Sequence, residues 1–244
     1  MKKNIIGIIP ARYASSRFPG KPLVRIGNKT LIEHVYERVK NSGIHRIAVA
    51  TEDSRIAECV SAFGGIAIMT SPNHLSGTDR CREAAEFFNP EDSDIIVNIQ
   101  GDEPMISSKE LSLISSAFDE STVVIATLAN PSFNKFEVTN PNVVKVVKTK
   151  NGNALYFSRY AIPFLREDSS SKPCYLRHIG IYAYRFKTLK EITMLQPSEL
   201  ELCEKLEQLR WLENGYPIKV LESNYEGIGV DTPDDLKKIT NLLI

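Results

Sequence analysis

The chain has 244 residues, with 30 Lys plus Arg against 30 Asp plus Glu, 42% hydrophobic residues and 4 Cys. This length and apolar content supply a core without disulfide or metal staples and exclude a disordered chain. Zero formal net charge excludes bulk attraction to nucleic acid or an anionic membrane, so a charged partner must be met by a local patch. The apolar run Ile5 to Pro10 is too short for a signal segment and no run approaches the ~18 apolar residues of a bilayer span. The expectation is a soluble, cytoplasmic protein with no membrane insertion.

Asn4 to Pro10 (N-I-I-G-I-I-P) is a continuous apolar run of strand length, as a strand covered on both faces of a parallel sheet requires. Leu31 to Val39 places apolar residues at 31, 32, 35, 36 and 39, the spacing of one helix face. Arg46 to Thr51, Arg55 to Phe63 and the short apolar piece Ile66 to Thr70 follow. After them come a helical segment over Thr78 to Phe88 and a second apolar strand over Asp94 to Gln100. Strands alternating with helical segments describe βαβ units. The expected fold class is therefore α/β, a mostly parallel Rossmann-like sheet with helices on both faces.

The rhythm changes in the second half. Val143 to Thr149 alternates apolar residues with Lys, Ala154 to Phe157 is a short strand, and Leu176 to Tyr184 alternates strongly. These segments predict antiparallel or mixed strands, each with one face outward, as an extension of the sheet. Arg166 to Cys174 is a polar, Ser-rich loop and a candidate lid. Leu202 to Glu213 returns to helical spacing, and Pro233 to Leu243 is a terminal helix with Asp231 or Thr232 near its N-cap. With no internal repeat and no clean linker, one domain over 1–244 is expected.

Cys59, Cys81, Cys174 and Cys203 stand far apart, with no C-x-x-C pair, so they are four plain thiols. The four His show no H-E-x-x-H spacing. Charge is uneven despite the neutral total: Met1 to Ile32 holds seven Lys or Arg and no acid. Three of the seven lie on Pro10-Ala-Arg-Tyr-Ala-Ser-Ser-Arg-Phe-Pro-Gly-Lys21, the loop leaving the first strand, where α/β folds bind anions. Its small residues allow backbone N–H groups to approach a ligand, Arg12 and Arg17 offer planar forks, and Lys21 supplies a compact charge. A polyphosphate fits that chemistry. The spacing is neither a Walker-type P-loop nor G-x-G-x-x-G, which removes the main support for an ATPase or a dinucleotide enzyme.

Val97-Asn-Ile-Gln-Gly-Asp-Glu-Pro104 sets Asp102 just past the end of a buried strand, where ligands of open α/β sheets collect. Gly227-Ile-Gly-Val-Asp-Thr-Pro233 carries a second candidate, Asp231. Magnesium takes one or two carboxylates plus substrate phosphates and water. Capping is the competing role: on its own Asp231 suits the start of the last helix, and Asp102 suits either role.

Seven blocks in order carry a family resemblance: I-P-A-R-Y-A-S-S-R-F-P-G-K-P-L (Ile9 to Leu23), H-L-S-G-T-D-R (His74 to Arg80), V-N-I-Q-G-D-E-P (Val97 to Pro104), Y-F-S-R-Y-A-I-P (Tyr156 to Pro163), R-H-I-G-I-Y-A-Y-R (Arg177 to Arg185), L-E-Q-L-R (Leu206 to Arg210) and G-V-D-T-P-D-D-L (Gly229 to Leu236). Together they span nearly the whole chain and resemble the 3-deoxy-manno-octulosonate cytidylyltransferases, the CMP-Kdo synthetases. Tyr160, Ala183 and Asp234 depart from the family pattern. The resemblance implies a nucleotidyltransferase that joins CTP and Kdo into CMP-Kdo and pyrophosphate for lipopolysaccharide biosynthesis, with Mg2+, as a homodimer. It implies a nucleotide-binding half over roughly 1–130 and a sugar-binding and dimerisation half over 131–244. It assigns Ala11, Arg12, Ser15, Arg17 and Lys21 to the CTP triphosphate, with Ser76, Arg80 and Gln100 near the nucleotide or between the two substrates. Asp102 and Asp231 become the metal ligands, and Arg17, Lys21, Asp102 and Asp231 the catalytic set. Gln100, Arg159, His178, Tyr182, Glu207 and Gln208 become the sugar site.

Residue chemistry supports part of this assignment: Arg159 suits a sugar carboxylate, Glu207 and Gln208 suit hydroxyls, and alternation aims His178, Gly180 and Tyr182 at one face. From pattern alone, His178 and Tyr182 suit core packing equally well. The rival readings are a cytidylyltransferase for 8-amino-Kdo or another sugar acid, and a nucleotide-sensing module without turnover.

Overall fold

The computed structural model describes residues 4–14, 18–131, 135–166, 175–227, 229, 230 and 232–243. In chain order its elements are β1 (Ile5–Pro10), a 3-10 turn (Lys21–Leu23), β2 (Arg25–Ile26), β3 (Lys29–Thr30), α1 (Leu31–Lys40), β4 (Arg46–Thr51), α2 (Ser54–Ala62), β5 (Ala67–Met69), α3 (Gly77–Glu86), β6 (Ile95–Asn98) and α4 (Ser108–Ser116). A second 3-10 turn (Ala117–Asp119) leads into β7 (Ile125–Asn130), α5 (Lys135–Val138), β8 (Lys145–Lys148), β9 (Ala154–Ser158), β10 (Leu176–Arg185), α6 (Phe186–Ile192), α7 (Glu199–Glu204), α8 (Gln208–Glu213), β11 (Ile218–Glu222) and α9 (Pro233–Leu243).

The main sheet runs β11-β7-β10-β6-β1-β4-β5, with β8 and β9 added beside β10. β1 pairs parallel with β4 and β6, β4 with β5, and β7 with β11. β10 runs against its neighbours β6 and β7 and also pairs antiparallel with β8, which pairs antiparallel with β9. The mixed strands are thus not confined to an appendage, because β10 lies between two parallel parts of the main sheet. Its residues separate by face as their alternation requires: Ile179, Ile181 and Ala183 join the core with Val35, Ile56, Leu111 and Ile114, whereas Tyr182 and Tyr184 join Ala84, Leu189 and Trp211. Helices α1, α2 and α4 cover the first face; α3, α6 and α8 cover the second.

The start signals work as their chemistry demands. Thr30 and Glu33 form a reciprocal capping box on α1, and Ser76 and Asp79 form another on α3. On α9 the Thr232 hydroxyl accepts from the Asp235 N–H at 3.2 Å while the Asp235 carboxylate accepts from the Thr232 N–H at 3.0 Å. The capping role at this end is therefore held by Thr232. Helix α9 packs Ile239 with Val230, Ile26 and Leu31 in a small third core, which brings the chain before it back to the β1 side of the sheet.

Two expectations are corrected. The helical spacing from Leu202 to Glu213 spans two helices, because Lys205 is left-handed with φ 53° and turns the chain between α7 and α8. Lys145, which alternation places on an outward face, is 0% exposed. Its ammonium is taken up by the backbone carbonyls of Asn140 (3.0 Å), Val143 (2.6 Å) and Arg159. Strands β7 and β11 and helices α4 and α6 are not marked in the sequence reading.

Gly101 follows β6 so closely on β1 that a Cβ there would stand 2.9 Å from the Pro10 carbonyl oxygen. A side chain must push the ends of β1 and β6 apart. Gly101→Ala is therefore expected to lower folding stability by about 1–3 kcal/mol, read from urea unfolding midpoints.

Candidate active site

The loop after β1 closes at its base through the Gly20 N–H donating to the Tyr13 carbonyl at 2.9 Å. Gly20 has φ 71°, and a Cβ there would stand 3.2 Å from the Tyr13 ring. Lys21 begins the turn that follows, with its side chain 13% exposed, and donates from Nζ to Asp102 Oδ2 at 2.6 Å. The cationic loop of β1 and the acid beyond β6 meet because those two strands are parallel neighbours and both loops leave their C-terminal ends. The N–H of Val230 donates to the Asp102 carbonyl at 2.9 Å, so the segment preceding position 231 lies against the same acid. Asp231, Ser15, Arg17 and residues 167–174 of the candidate lid lie outside the described residues.

A second cluster flanks the loop. Ala11 is buried, and its N–H donates to the Ala50 carbonyl at 2.9 Å. Arg12 is exposed and donates to the His74 carbonyl at 3.1 Å. His74 pairs in turn with Glu83, which also accepts from the Ser71 N–H at 3.0 Å. Arg80 is 1% exposed; it pairs with Glu52 at 2.9 Å and donates to the Thr70 hydroxyl. Burial lowers the Arg80 pKa and the Glu52 charge opposes that shift.

The nucleotide and sugar candidates are joined at the start of α3. Thr78 donates from its hydroxyl to Glu207 Oε2 at 2.8 Å, so the S-G-T segment touches the residue that opens α8. Burial raises the Glu207 pKa, and the Thr78 and Ser76 hydroxyls oppose that shift. Gln100 donates to the Gly180 carbonyl at 2.9 Å, tying the end of β6 to β10 between His178 and Tyr182. A Cβ on Gly180 would meet nothing within 4 Å, so there is space beside that carbonyl.

His178 and Tyr182 share a face with ring centroids 5.4 Å apart. Phe157 meets the His178 ring edge-on at 5.0 Å, and Trp211 meets Tyr182 at 5.1 Å. His178 Nε2 lies 3.0 Å from the Thr127 hydroxyl. Gln208 is buried in the first turn of α8. Arg159 spends donors on three backbone carbonyls: Nε to Glu204 at 2.7 Å, Nη1 to Pro141 at 3.0 Å and Nη2 to Lys205 at 3.3 Å. A guanidinium has five N–H groups, so two remain for a carboxylate.

Sequence reasoning missed Glu52, Thr78, Lys145 and Glu204, each of which holds one of these candidates, and Glu83, which pairs with the His74 whose carbonyl accepts from Arg12. Glu52 and Thr78 carried a signal, the one directly after a buried strand and the other inside the H-L-S-G-T-D-R block. Glu103 was also unassigned. Burial and the adjacent Asp102 charge push its carboxyl up to about 7. Among the described residues no three His, Cys, Asp or Glu converge on one point. No helix among them is long and apolar enough to cross a membrane.

A family model described as cytidylyltransferase matches residues 6–224. The 3-deoxy-manno-octulosonate cytidylyltransferase of Bacteroides thetaiotaomicron is 54% identical, with 98% of each chain covered. That of Syntrophobacter fumaroxidans is 49% identical, covering 98% of this chain and 97% of its own. A solved structure of CMP:2-keto-3-deoxy-manno-octonic acid synthetase complexed with CTP superposes with a TM-score of 0.91 at 43% identity, covering 99% of this chain and 98% of its own. A 4-diphosphocytidyl-2C-methyl-D-erythritol synthase, 15% identical with a TM-score of 0.66 and 100% coverage of both chains, shares the fold.

Burial drives the His178 imidazole down to about 3, so it is neutral in the fold at ordinary pH. In the unfolded chain it titrates near 6.5. Its contribution is complete above that value and is lost as pH falls through the window from 6.5 toward 3, by up to about 1.4 kcal/mol per pH unit. The difference in unfolding free energy between wild type and His178→Asn should therefore shrink between pH 6.5 and 4. Urea melts at stepped pH measure it, and a pH-independent difference would contradict the neutral, buried imidazole.

Proposed function

Because the chain belongs to the cytidylyltransferase family, we propose that it transfers the CMP group of CTP to the anomeric oxygen of Kdo, giving CMP-Kdo and pyrophosphate. It is a nucleotidyltransferase, and CTP-dependent activation of Kdo is the function its relatives indicate. The single observation that carries the mechanism is the 2.6 Å contact between Lys21 and Asp102, which brings an ammonium and a carboxylate from two strand-end loops to one point.

The chemistry is an in-line displacement. The anomeric hydroxyl oxygen attacks the α-phosphorus, the bond to the bridging oxygen breaks, and the hydroxyl proton leaves with the products. Such a transfer depends on positioning and charge neutralisation more than on a covalent nucleophile. Lys21, with Arg12 and Arg17, would hold the triphosphate and stabilise the departing pyrophosphate. Ala11, Ser15, Ser76 and Arg80 would complete the nucleotide side, and Gln100 would stand between the substrates. Arg159 would present its remaining N–H groups to the sugar carboxylate. His178, Tyr182, Glu207 and Gln208 would line the hydroxyls, beside the space at Gly180. Thr78 fastens the two sides together through Glu207.

Asp102 also fits magnesium: its carboxylate is 28% exposed and stands on the loop beyond β6, beside the Lys21 loop. Asp102 and Asp231 would hold the ion, which when bound supplies Lewis-acid charge at the α-phosphate and the attacking hydroxyl. We also place the reaction in the cytoplasm, in lipopolysaccharide biosynthesis, on one domain with its nucleotide side in 1–130 and its sugar side in 131–244. A homodimer is supported by large apolar side chains exposed along the second half, among them Leu155 at 61%, Tyr160 at 78%, Phe164 at 82% and Leu202 at 53%.

Pyrophosphate release is expected with CTP, Kdo and magnesium together, and not with UTP or ATP. Equal turnover on 8-amino-Kdo would favour the rival sugar acid, and tight CTP binding without release would favour a sensing module. Lys21→Ala and Asp102→Asn should each cut kcat by roughly two orders of magnitude in a folded protein. Sedimentation should give twice the chain mass, and Leu155→Glu should shift it toward the monomer.

A further inference from the structure

Lys145 is the one lysine of the core among the described residues, and its charge does no work on the outside of the molecule. Taking an ammonium out of water is costly unless every donor is met. Here all three are met by backbone: Asn140 O at 3.0 Å, Val143 O at 2.6 Å and Arg159 O. With its donors spent and its side chain fully covered, Lys145 does not itself touch a substrate. What its partners share is Arg159. One is the carbonyl of Arg159 itself; the other two flank Pro141, whose carbonyl receives the Arg159 guanidinium.

The remaining restraints on Arg159 come from the break between α7 and α8. The Glu204 carboxylate accepts from the Arg159 N–H at 2.9 Å and from the Ser158 hydroxyl at 2.6 Å. The Glu204 and Lys205 carbonyls, freed by the left-handed turn at Lys205, accept from its guanidinium. Arg159 is thus clamped between the 140–143 turn and the 204–205 turn, and on the first side Lys145 holds both the turn and the arginine backbone. Burial lowers the Lys145 pKa, the Glu204 charge opposes that shift and the Arg159 charge adds to it.

We propose that Lys145 is a positioning residue for the sugar acid: its carbonyl-bound ammonium fixes the 140–143 turn against Arg159 and so sets the aim of the guanidinium at the sugar carboxylate. The inference rests on the reading of Arg159 as a sugar contact, and Arg159→Ala tests that reading separately. Full-length Lys145→Met keeps the side-chain length and removes the charge. In steady-state pyrophosphate release with Kdo and CTP varied in turn, it should raise KM for Kdo about tenfold or more while leaving KM for CTP within about twofold. Where Lys145→Met gives no cooperative melt, Lys145→Arg keeps the cation in an altered position, and the same split is expected. A folded variant whose two KM values stay at wild type, or rise together, overturns the proposal, because a purely structural lysine makes no distinction between the substrates. If Arg159→Ala itself leaves KM for Kdo unchanged, the sugar-site reading fails, and the clamp loses its function with it.

Discussion

The chemistry proposed for this chain depends on one constraint: a lysine on the loop after β1 and an aspartate on the loop after β6 are brought within 2.6 Å by the parallel pairing of those strands. Neither residue is near the other in sequence. The pairing of Ile5 to Ile8 with Ile95 to Asn98 sets how far apart the loops begin, and Gly101 lets the second loop pass against the Pro10 carbonyl. A half-buried cation and anion compensate each other there. In the proposed reaction each exchanges that partner for a substrate one, Lys21 for phosphate and Asp102 for the metal. The site therefore does not have to strand an unpaired charge at either stage.

The rest of the site is arranged around that pair by elements with separate tasks. The third small core, with Val230 and Ile239 against Ile26 and Leu31, returns the C-terminal segment to Asp102. Antiparallel β10, threaded between β6 and β7, carries His178 and Tyr182, and the bond from Gln100 to Gly180 joins it to the segment after β6. Thr78 closes the remaining gap by linking the nucleotide-side helix to Glu207.

Much of this was legible because parallel strands buried on both faces leave unbroken apolar runs. Arg46 to Thr51 has the bounds the sequence reading gives, and Pro233 to Leu243 likewise, where proline and a threonine cap mark the start. Asp102 was found through the same logic, as the acid beyond a buried strand. Periodicity is blind to the sign of φ, so the break at Lys205 was hidden; a lysine in the left-handed region carries none of the glycine or asparagine signal that marks such turns. It is equally blind to a charge satisfied by backbone, which is why Lys145 passed for a surface residue while Lys148, three positions on, does pair with Glu222 at 2.7 Å. The roles of His178 and Tyr182 could not be separated from packing by pattern, since in the fold both pack edge-on against aromatic rings, His178 against Phe157 and Tyr182 against Trp211.

The most direct test of the account is a crystal structure of the protein with CTP and magnesium. The account predicts Lys21 Nζ on a phosphate oxygen, with Asp102 and Asp231 both on one metal ion at the α-phosphate, and the contact between Lys21 and Asp102 lengthened. A triphosphate bound elsewhere, with Lys21 still closed on Asp102 and Asp231 directed to a different cavity, would contradict it.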